Sequence, residues 1–285
     1  PDPEETGTPT TTDGFNIFPN NSYCELNATY SDQVLPICES SFKVLRNWTI
    51  LDWCTGEIIS DFQIIKVVDN EAPIVTCAPD NTEAFGISAD PYDCEADWLV
   101  PDPIVIYDCS STTYTVQYLL ADDNGAPPVN GVYIDDNVVQ NSDGSYTIKD
   151  LPLGRTWVRY TITDACGNSA YCFTEVDVID DVPPVAVCDE FTVATLTNSG
   201  YAHIFAQSFD DGSHDNCSDV KFDVRRMTPG CGVNTNQWGP YAEFCCADLG
   251  KEIMVALRVT DESENSNTCM VIVTVQDKLD PTITC

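Results

Sequence analysis

Two stretches of the chain alternate apolar and polar residues with a period of two. They read CFTEVDVID at 172–180 and CMVIVTVQD at 269–277, and both are rich in Val and Ile. Such alternation is typical of a strand that is buried on one face only. Turn pairs such as Asn124-Gly125 and Asp143-Gly144 interrupt the apolar runs, and no stretch of a dozen residues shows convincing helical periodicity. The pattern predicts an all-β chain of short strands and hairpins.

The chain also repeats itself. Three nine-residue segments share the pattern D-x-x-x-P-x-x-x-C and begin at Asp69, Asp180 and Asp277. The proline is expected to end strand pairing at an edge, and the residues before the cysteine to open the next domain's first strand. The predicted divisions are a Pro/Thr linker at 1–13, domain 1 at 14–72, domain 2 at 73–183, domain 3 at 184–280, and at 281–285 the first strand of a further repeat or of a neighbouring copy.

The spacing of the repeated cysteines adds an expectation about assembly. If the residues before Pro1 ended in the same cysteine, the 285 residues would equal one period of the repeat. This favours a periodic array, or a head-to-tail assembly of identical copies, over an arbitrary slice. The simpler alternative is that the ends of the chain fall at arbitrary points that are unrelated to the repeat.

Charge and apolar content together exclude three interpretations of the chain. The chain has 12 basic and 46 acidic residues, for a formal net charge of −34. A nucleic-acid binder needs basic residues to displace counterions, so nucleic acid is excluded as a partner. No apolar run approaches the ~20 residues of a membrane span, so we expect no direct membrane insertion. The 43% apolar content is too high for a disordered acidic tail, and the chain must bury cores.

Cysteine usage indicates an oxidising compartment. The chain has 15 Cys and only 2 His, and the cysteines lack the paired spacings of zinc sites. Disulfides persist in secreted and cell-surface proteins, so we expect an extracellular or cell-surface location. The odd number means that at least one cysteine is free or pairs with another chain.

The repeated blocks resemble hyalin-repeat (HYR) domains, an immunoglobulin-like β-sandwich family. The matching residues are DCSS at 108–111 and DLPLGRTWVRYTITDACGNSAYC at 150–172 in domain 2, and DNCSD at 215–219 and TDESENSNTC at 260–269 in domain 3. Glu264 stands where the family has Gly, and domain 1 matches least, with CTGEIIS at 54–60. The resemblance implies an all-β fold of three tandem, disulfide-rich immunoglobulin-like β-sandwich domains. DACGN blocks and the FCCADLG segment at 244–250 resemble giant secreted surface proteins of Bacteroidota, which are adhesins or filament components.

Alignment of the domains with one another suggests cysteine pairs. We expect Cys38–Cys54, Cys109–Cys166 and Cys188–Cys269, and Cys24 pairing with Cys285 of the next copy. One of Cys77, Cys94 and Cys172 is left over. The remaining cysteines of domain 3, at 217, 231, 245 and 246, allow three connectivities, although the adjacent Cys245 and Cys246 should point to opposite faces of a strand.

Calcium is the metal that the sequence suggests, because hard oxygen ligands are abundant. The sharpest acidic cluster lies at the domain 2/3 boundary: Asp180, Asp181, Asp210, Asp211, Asp215 and Asn216. The competing interpretation is a solvated acidic surface that keeps the protein soluble. N-x-S/T sequons that could carry glycans occur at Asn20, Asn27, Asn47 and Asn216.

These features favour a structural role over catalysis. No G-x-S-x-G elbow or phosphate-binding glycine loop is present, so we expect no enzymatic activity and no required cofactor. The leading interpretation is a structural subunit or repeat period of an extracellular bacterial filament that assembles head to tail with identical copies. The alternative is a cell-surface adhesin rod that binds glycans or surfaces through its loops.

Overall fold

The computed structural model describes residues 1–19, 26–77, 85–120, 127, 130–231 and 237–278. Its regular elements are almost entirely strands, and it contains five disulfides, so the expected all-β, disulfide-rich fold class is confirmed. We call residues 1–72 the N-terminal segment, 73–183 the central segment and 184–278 the C-terminal segment. The proposed strand of a further repeat at 281–285 lies outside the described residues.

The N-terminal segment forms one antiparallel sheet. Its strands are β1 (Leu26–Cys38), β2 (Ser41–Asp52) and β3 (Ile58–Val67), with β2 in the middle. Alternating residues of β2 are buried, and Trp48 packs with Ala28 and Ile17 in a small apolar cluster. Among the residues described here, this segment shows one sheet where two facing sheets would make a sandwich.

The first residues of the chain pack against this sheet. A short helix, α1 (Pro3–Thr6), begins the segment. The buried Arg46 donates to the carbonyl of Pro1 at 2.6 Å and to the Thr6 hydroxyl at 3.0 Å, and it forms a bidentate ion pair with Asp32. The Pro/Thr composition predicted an extended linker at 1–13, whereas the structure docks residues 1–6. The physical reason is the buried guanidinium, which needs hydrogen-bond acceptors on every side.

The central segment holds two facing sheets. Its strands are β4 (Ile74–Thr76), β5 (Phe85–Ser88), β6 (Glu95–Val100), β7 (Ile104–Tyr107), β8 (Thr112–Leu120), β9 (Val138–Gln140), β10 (Tyr146–Pro152), β11 (Gly154–Asp164) and β12 (Ser169–Ile179). One sheet has the order β5-β12-β11-β8 and the other β6-β10-β9, while β4 pairs with β7. Residues of both larger sheets, such as Tyr160 and Ile148, share one buried core. The strand predicted at 172–180 is therefore present in β12, which forms a hairpin with β11.

The C-terminal segment repeats this plan. Its strands are β13 (Phe191–Thr195), β14 (Tyr201–Phe205), β15 (Lys221–Arg226), β16 (Tyr241–Cys245), β17 (Glu252–Thr260) and β18 (Ser266–Gln276). The sheet β13-β18-β17-β15 faces the pair β14-β16 across a core that includes Phe209, Phe244 and Leu257. In both segments the first strand of the larger sheet runs parallel to the last strand: β5 to β12, and β13 to β18. These two last strands are the ones that contain the alternating sequence blocks. Each long hairpin ends in a turn that faces the preceding segment.

Candidate functional site: the two junctions between segments

Two disulfides join different segments of the chain. Cys38, at the end of β1, pairs with Cys166 in the β11–β12 turn, and Cys94 pairs with Cys217. Each bridge therefore adds a second covalent connection beside the linker that already joins two consecutive segments.

The expected pairs Cys38–Cys54 and Cys109–Cys166 are wrong. In the β1–β2 register Cys38 lies opposite Ser41, whereas Leu26 lies opposite Asp52, so Cys38 and Cys54 sit at opposite ends of the sheet. A strand of this length spans roughly 40 Å, far beyond the ~7 Å that a disulfide can bridge. Cys54 and Cys109 are free thiols. Alignment of the domains failed here because it assumed that each domain closes its own bridges.

The other three disulfides lie within segments. The expected Cys188–Cys269 bridge is present, and Cys77–Cys172 occupies the equivalent place in the central segment. Cys231 pairs with Cys245, while Cys246 is an exposed free thiol, in line with the predicted opposite orientations of the adjacent pair. Cys24 and Cys285 lie outside the described residues, and their pairing between copies stays a prediction.

At the first junction, side chains from the central segment bind the end of the N-terminal segment. The Asn168 amide donates to the carbonyl of Asp69 at 3.3 Å, and the Ser111 backbone N–H donates to the Glu39 carboxylate at 3.0 Å. The free thiol of Cys109 donates to Asp69 Oδ2 at 3.0 Å, and this hydrogen bond raises the pKa of Cys109. The neutral thiol is favoured because a thiolate would face the Asp69 carboxylate.

The second junction has the same plan. The Asn265 amide donates to the carbonyl of Asp180 at 2.9 Å, as Asn168 does to Asp69. Ser88 in β5 adds a hydrogen bond of 2.7 Å to Asp181 Oδ2. The contacts of Asn168 and Asn265 each place a linker aspartate against the turn of the following segment's last hairpin. The junction is thus a structural unit that the chain uses twice.

Three carboxylates meet at the second junction. Asp180, Asp215 and Asp261 each offer an oxygen, and these oxygens lie within 4.8 Å of one another. Asp180 is 6% exposed and Asp261 2%. Burial raises the pKa of Asp180, and the neighbouring charges of Asp215, Asp261 and Asp181 raise it further. The unpaired charges therefore disfavour ionisation of Asp180.

The structure divides the predicted metal residues. It brings Asp180 and Asp215 together but leaves Asp181, Asp210 and Asp211 outside the cluster. Both oxygens of Asp210 accept backbone N–H groups, from Gly212 at 3.3 Å and Ser213 at 2.8 Å. The exposed Asn216 donates its amide to the sulfur of Cys217. The metal assignment itself stays a prediction.

Sequence reasoning missed Asp261, although a signal for it was present. This residue opens the TD-x-x-x-N turn in the repeat, and the repeat places that turn beside the next linker aspartate. By sequence alone the turn is a connection between two strands, in which its Asp residue has a structural task. Asp261 Oδ1 accepts the backbone N–H of Asn265 at 2.7 Å.

The sequon asparagines have different environments. Asn27 is half-buried in β1, whereas Asn47 on β2 and Asn216 are exposed, and Asn20 lies outside the described residues. Glycosylation at these positions stays a prediction. Within the described part of the chain, no helix has the length and apolar character needed to cross a membrane.

A comparison with protein-family models gives no match, and a comparison with curated proteins gives none. Similar solved structures include Dscam1 isoform 6.9, N-terminal four Ig domains (TM-score 0.42, 14% identity, 82% of this chain and 54% of that one). Others are protocadherin gamma B2 extracellular cadherin domains 3–6 (0.42, 12%, 89% and 69%) and the human desmocollin-1 ectodomain (0.31, 14%, 94% and 54%). The chain spans about half the length of the Dscam1 chain that it matches. With TM-scores below 0.5, these likenesses carry no conclusion about function.

Proposed function

We propose that this chain is a covalently clamped rod unit of an extracellular structure. In this proposal the three segments are tandem immunoglobulin-like domains, and the chain forms one repeat period of a bacterial filament that is assembled head to tail. The observation that carries the proposal is the pair of bridges between segments, Cys38–Cys166 and Cys94–Cys217. A linker alone leaves two domains free to bend and rotate, whereas a second covalent connection restricts both motions.

The chemistry of the chain supports an extracellular setting for this rod. Disulfides persist only where the surroundings are oxidising, and the two bridges between segments would be lost in a reducing cytosol. The net charge of −34 keeps neighbouring rods apart unless specific contacts join them. Both features suit a load-bearing protein outside the cell.

The rigidity of the rod is tested by small-angle X-ray scattering of the full chain. We expect one narrow distribution of interatomic distances for the oxidised protein. The double variants C38S/C166S and C94S/C217S should each broaden that distribution, because one junction is then held by its linker alone. The matched control is C231S/C245S, which removes a bridge within the C-terminal segment and should leave the distribution of the whole rod unchanged. Equal distributions for all four proteins would contradict the clamp.

Head-to-tail assembly is tested by negative-stain electron microscopy of the native material, with and without a chelator. We expect filaments that survive chelation, because disulfides and strand pairing hold the copies. If scattering shows a rigid chain but microscopy shows no filaments, the filament proposal is refuted and the proposal of a single rod remains.

The adhesin alternative is favoured by one surface of the N-terminal sheet. Phe62, Ile64 and Leu35 lie on one face by strand register and are 63%, 58% and 44% exposed. An uncovered apolar face is typical of an interaction surface. A glycan array and a surface-adsorption assay compare the natural chain with Phe62→Ser. Lower binding by the variant would support adhesion, and equal binding would remove this surface from consideration.

A further inference from the structure

The three carboxylates of the second junction each leave one buried oxygen without a partner. These atoms are Asp180 Oδ2, Asp215 Oδ1 and Asp261 Oδ2. They come from three different parts of the chain: the linker after β12, the loop before β15 and the β17–β18 turn. A buried polar atom normally has a hydrogen-bond partner, and an exception indicates a missing ligand or a functional role.

The second oxygen of each carboxylate holds it in place. Asp180 Oδ1 accepts the backbone N–H of Val182 at 3.1 Å, and Asp215 Oδ2 accepts that of Cys217 at 2.8 Å. Asp261 Oδ1 is bound by the backbone N–H of Asn265. Each side chain is therefore fixed by its own local turn, and each keeps one buried oxygen without a donor. None of the ion pairs between described residues includes these three aspartates.

This arrangement is unfavourable without a cation. Three carboxylates so close together repel one another, and burial removes the water that would screen them. Hard carboxylate oxygens are the ligands that calcium prefers, at roughly 2.3–2.6 Å from the ion. Two ligands on opposite sides of one calcium ion are thus roughly 4.8 Å apart. One oxygen from each carboxylate lies within 4.8 Å of the other two, so all three residues can contact a single ion.

We propose that Asp180, Asp215 and Asp261 bind one calcium ion that ties the interdomain linker to two loops of the C-terminal segment. The three carboxylates supply the negative charge of the site, and water completes the coordination. The ion lies beside the Cys94–Cys217 bridge, because Asp215 and Cys217 belong to one loop. This site does not depend on the filament, since a single rod or an isolated chain would bind the ion equally well.

The first junction provides an internal comparison. There two of the three corresponding oxygens already have hydrogen-bond donors. Asp164 Oδ2 accepts the amide of Asn168 at 2.7 Å, and Asp69 Oδ2 accepts the thiol of Cys109 at 3.0 Å. At the first junction, neutral hydrogen-bond donors therefore stabilise these carboxylate oxygens, as the proposed ion does at the second. The proposal gives one calcium ion per chain, not two.

The binding test uses native mass spectrometry for stoichiometry and titration calorimetry for affinity, on the full chain with calcium chloride. We expect one tightly bound ion, and Asp261→Asn should weaken its affinity at least about tenfold because a charged ligand is lost. The matched control Asp211→Asn removes the same charge from an exposed residue of a nearby loop and should leave the affinity unchanged. Equal loss in both variants would indicate diffuse attraction to an acidic surface and overturn the site.

Magnesium chloride distinguishes the ion. Magnesium demands shorter contacts and keeps more of its water, so it should bind more weakly than calcium. Tighter binding of magnesium would overturn the calcium assignment.

Thermal unfolding gives a second readout whose sign depends on the ion. In chelator, Asp261→Asn should unfold at a higher temperature than the natural chain, because it relieves repulsion between carboxylates. In excess calcium the order should reverse, because only the natural chain gains stability from binding. Asp180→Asn keeps an oxygen for the Val182 N–H and serves as the second variant if Asp261→Asn does not fold. The same order with and without calcium in a folded variant would contradict the proposal.

Discussion

At the scale of single residues, the turns of the last hairpins in the central and C-terminal segments share one backbone conformation but use different residues for it. Gly167 in the central segment has a φ of 93°, and Glu264 at the equivalent position has a φ of 67°. Only glycine adopts this region without strain, so Glu264 carries a cost of roughly 1 kcal/mol that Gly167 avoids. The sequence comparison located this substitution, but only the dihedral angle shows that the C-terminal turn keeps the glycine conformation.

The pair of turns gives reciprocal predictions. Glu264→Gly should raise the free energy of unfolding by roughly 0.5–1 kcal/mol, because relief of strain exceeds the added entropy of the unfolded chain. Gly167→Ala should lower it by about 1 kcal/mol, and no atom lies within 4 Å of the added Cβ to contribute a clash. Urea denaturation measures both. A loss of stability in Glu264→Gly would mean that the exposed Glu264 side chain contributes more than its backbone costs.

At the scale of elements, a buried ion pair fixes the end of β15 against the short 3-10 turn Cys246–Asp248 that follows β16. Arg226 donates to both carboxylate oxygens of Asp248, at 2.8 and 2.9 Å, and both side chains are almost fully buried. A Cβ at Gly230 would lie 2.7 Å from Arg226 Nη2, so only glycine leaves room for the guanidinium there. Alternation in the sequence predicts the strands, whereas this contact joins residues 22 positions apart through a loop and has no local signature.

Loss of one partner of the Arg226–Asp248 ion pair should lower the stability of the fold strongly. We expect Asp248→Asn to lower the free energy of unfolding by about 3–5 kcal/mol, because Arg226 is left buried and unpaired. The matched control is Asp223→Asn, whose partner Arg258 is 33% exposed at the side chain and whose loss should cost less than about 1 kcal/mol. Chemical denaturation compares the two. Similar losses in both variants would contradict the importance of burial.

The same pair predicts a pH dependence. The hydrogen bonds from Arg226 lower the pKa of Asp248 below its ordinary value. A lowered carboxyl pKa in the folded state contributes stability above the unfolded pKa of about 4, and that stability is lost as the pH falls through the folded value. The stability difference between the natural chain and Asp248→Asn should therefore be constant at neutral pH and shrink below about pH 4. A difference that grows in acid would have the wrong sign.

At the scale of the whole molecule, the sequence predicted the all-β fold class but not the disulfides that connect one segment to the next. The alternating pattern predicted the last strand of each later segment, which the structure shows as β12 and β18. It could not give Cys38–Cys166 or Cys94–Cys217, because these bridges depend on how one segment faces the next and on which end of a sheet each cysteine occupies. Three-dimensional proximity likewise added Asp261 to Asp180 and Asp215.

The disulfides also give a short covalent route through the molecule. From Cys38 the route crosses to Cys166, follows 22 residues to Cys188 and crosses to Cys269. These 22 residues are extendable, out of the 231 that separate positions 38 and 269 in sequence. Fully extended, this route measures roughly 90 Å including the bridges, against roughly 800 Å for the reduced chain.

Single-molecule stretching from the two termini measures this route. Reduction should lengthen the fully unfolded chain by about 700 Å. The variant C38S/C166S should extend roughly 100 Å farther than the natural oxidised chain, because its shortest route then runs from residue 38 to Cys77, crosses to Cys172 and continues to Cys188. Oxidised and reduced chains of equal contour length would contradict the connectivity.

A tensile load on such a chain is limited by covalent bonds soon after its strands separate. Hydrogen-bonded sheets can open and absorb energy, but the overlapping loops stop the extension before most of the sequence is pulled straight. A fibre made of these units would stretch by a small fixed fraction and then stiffen abruptly. The same geometry makes its compliance redox-dependent, since each bridge on the shortest route that is reduced adds a defined length of slack.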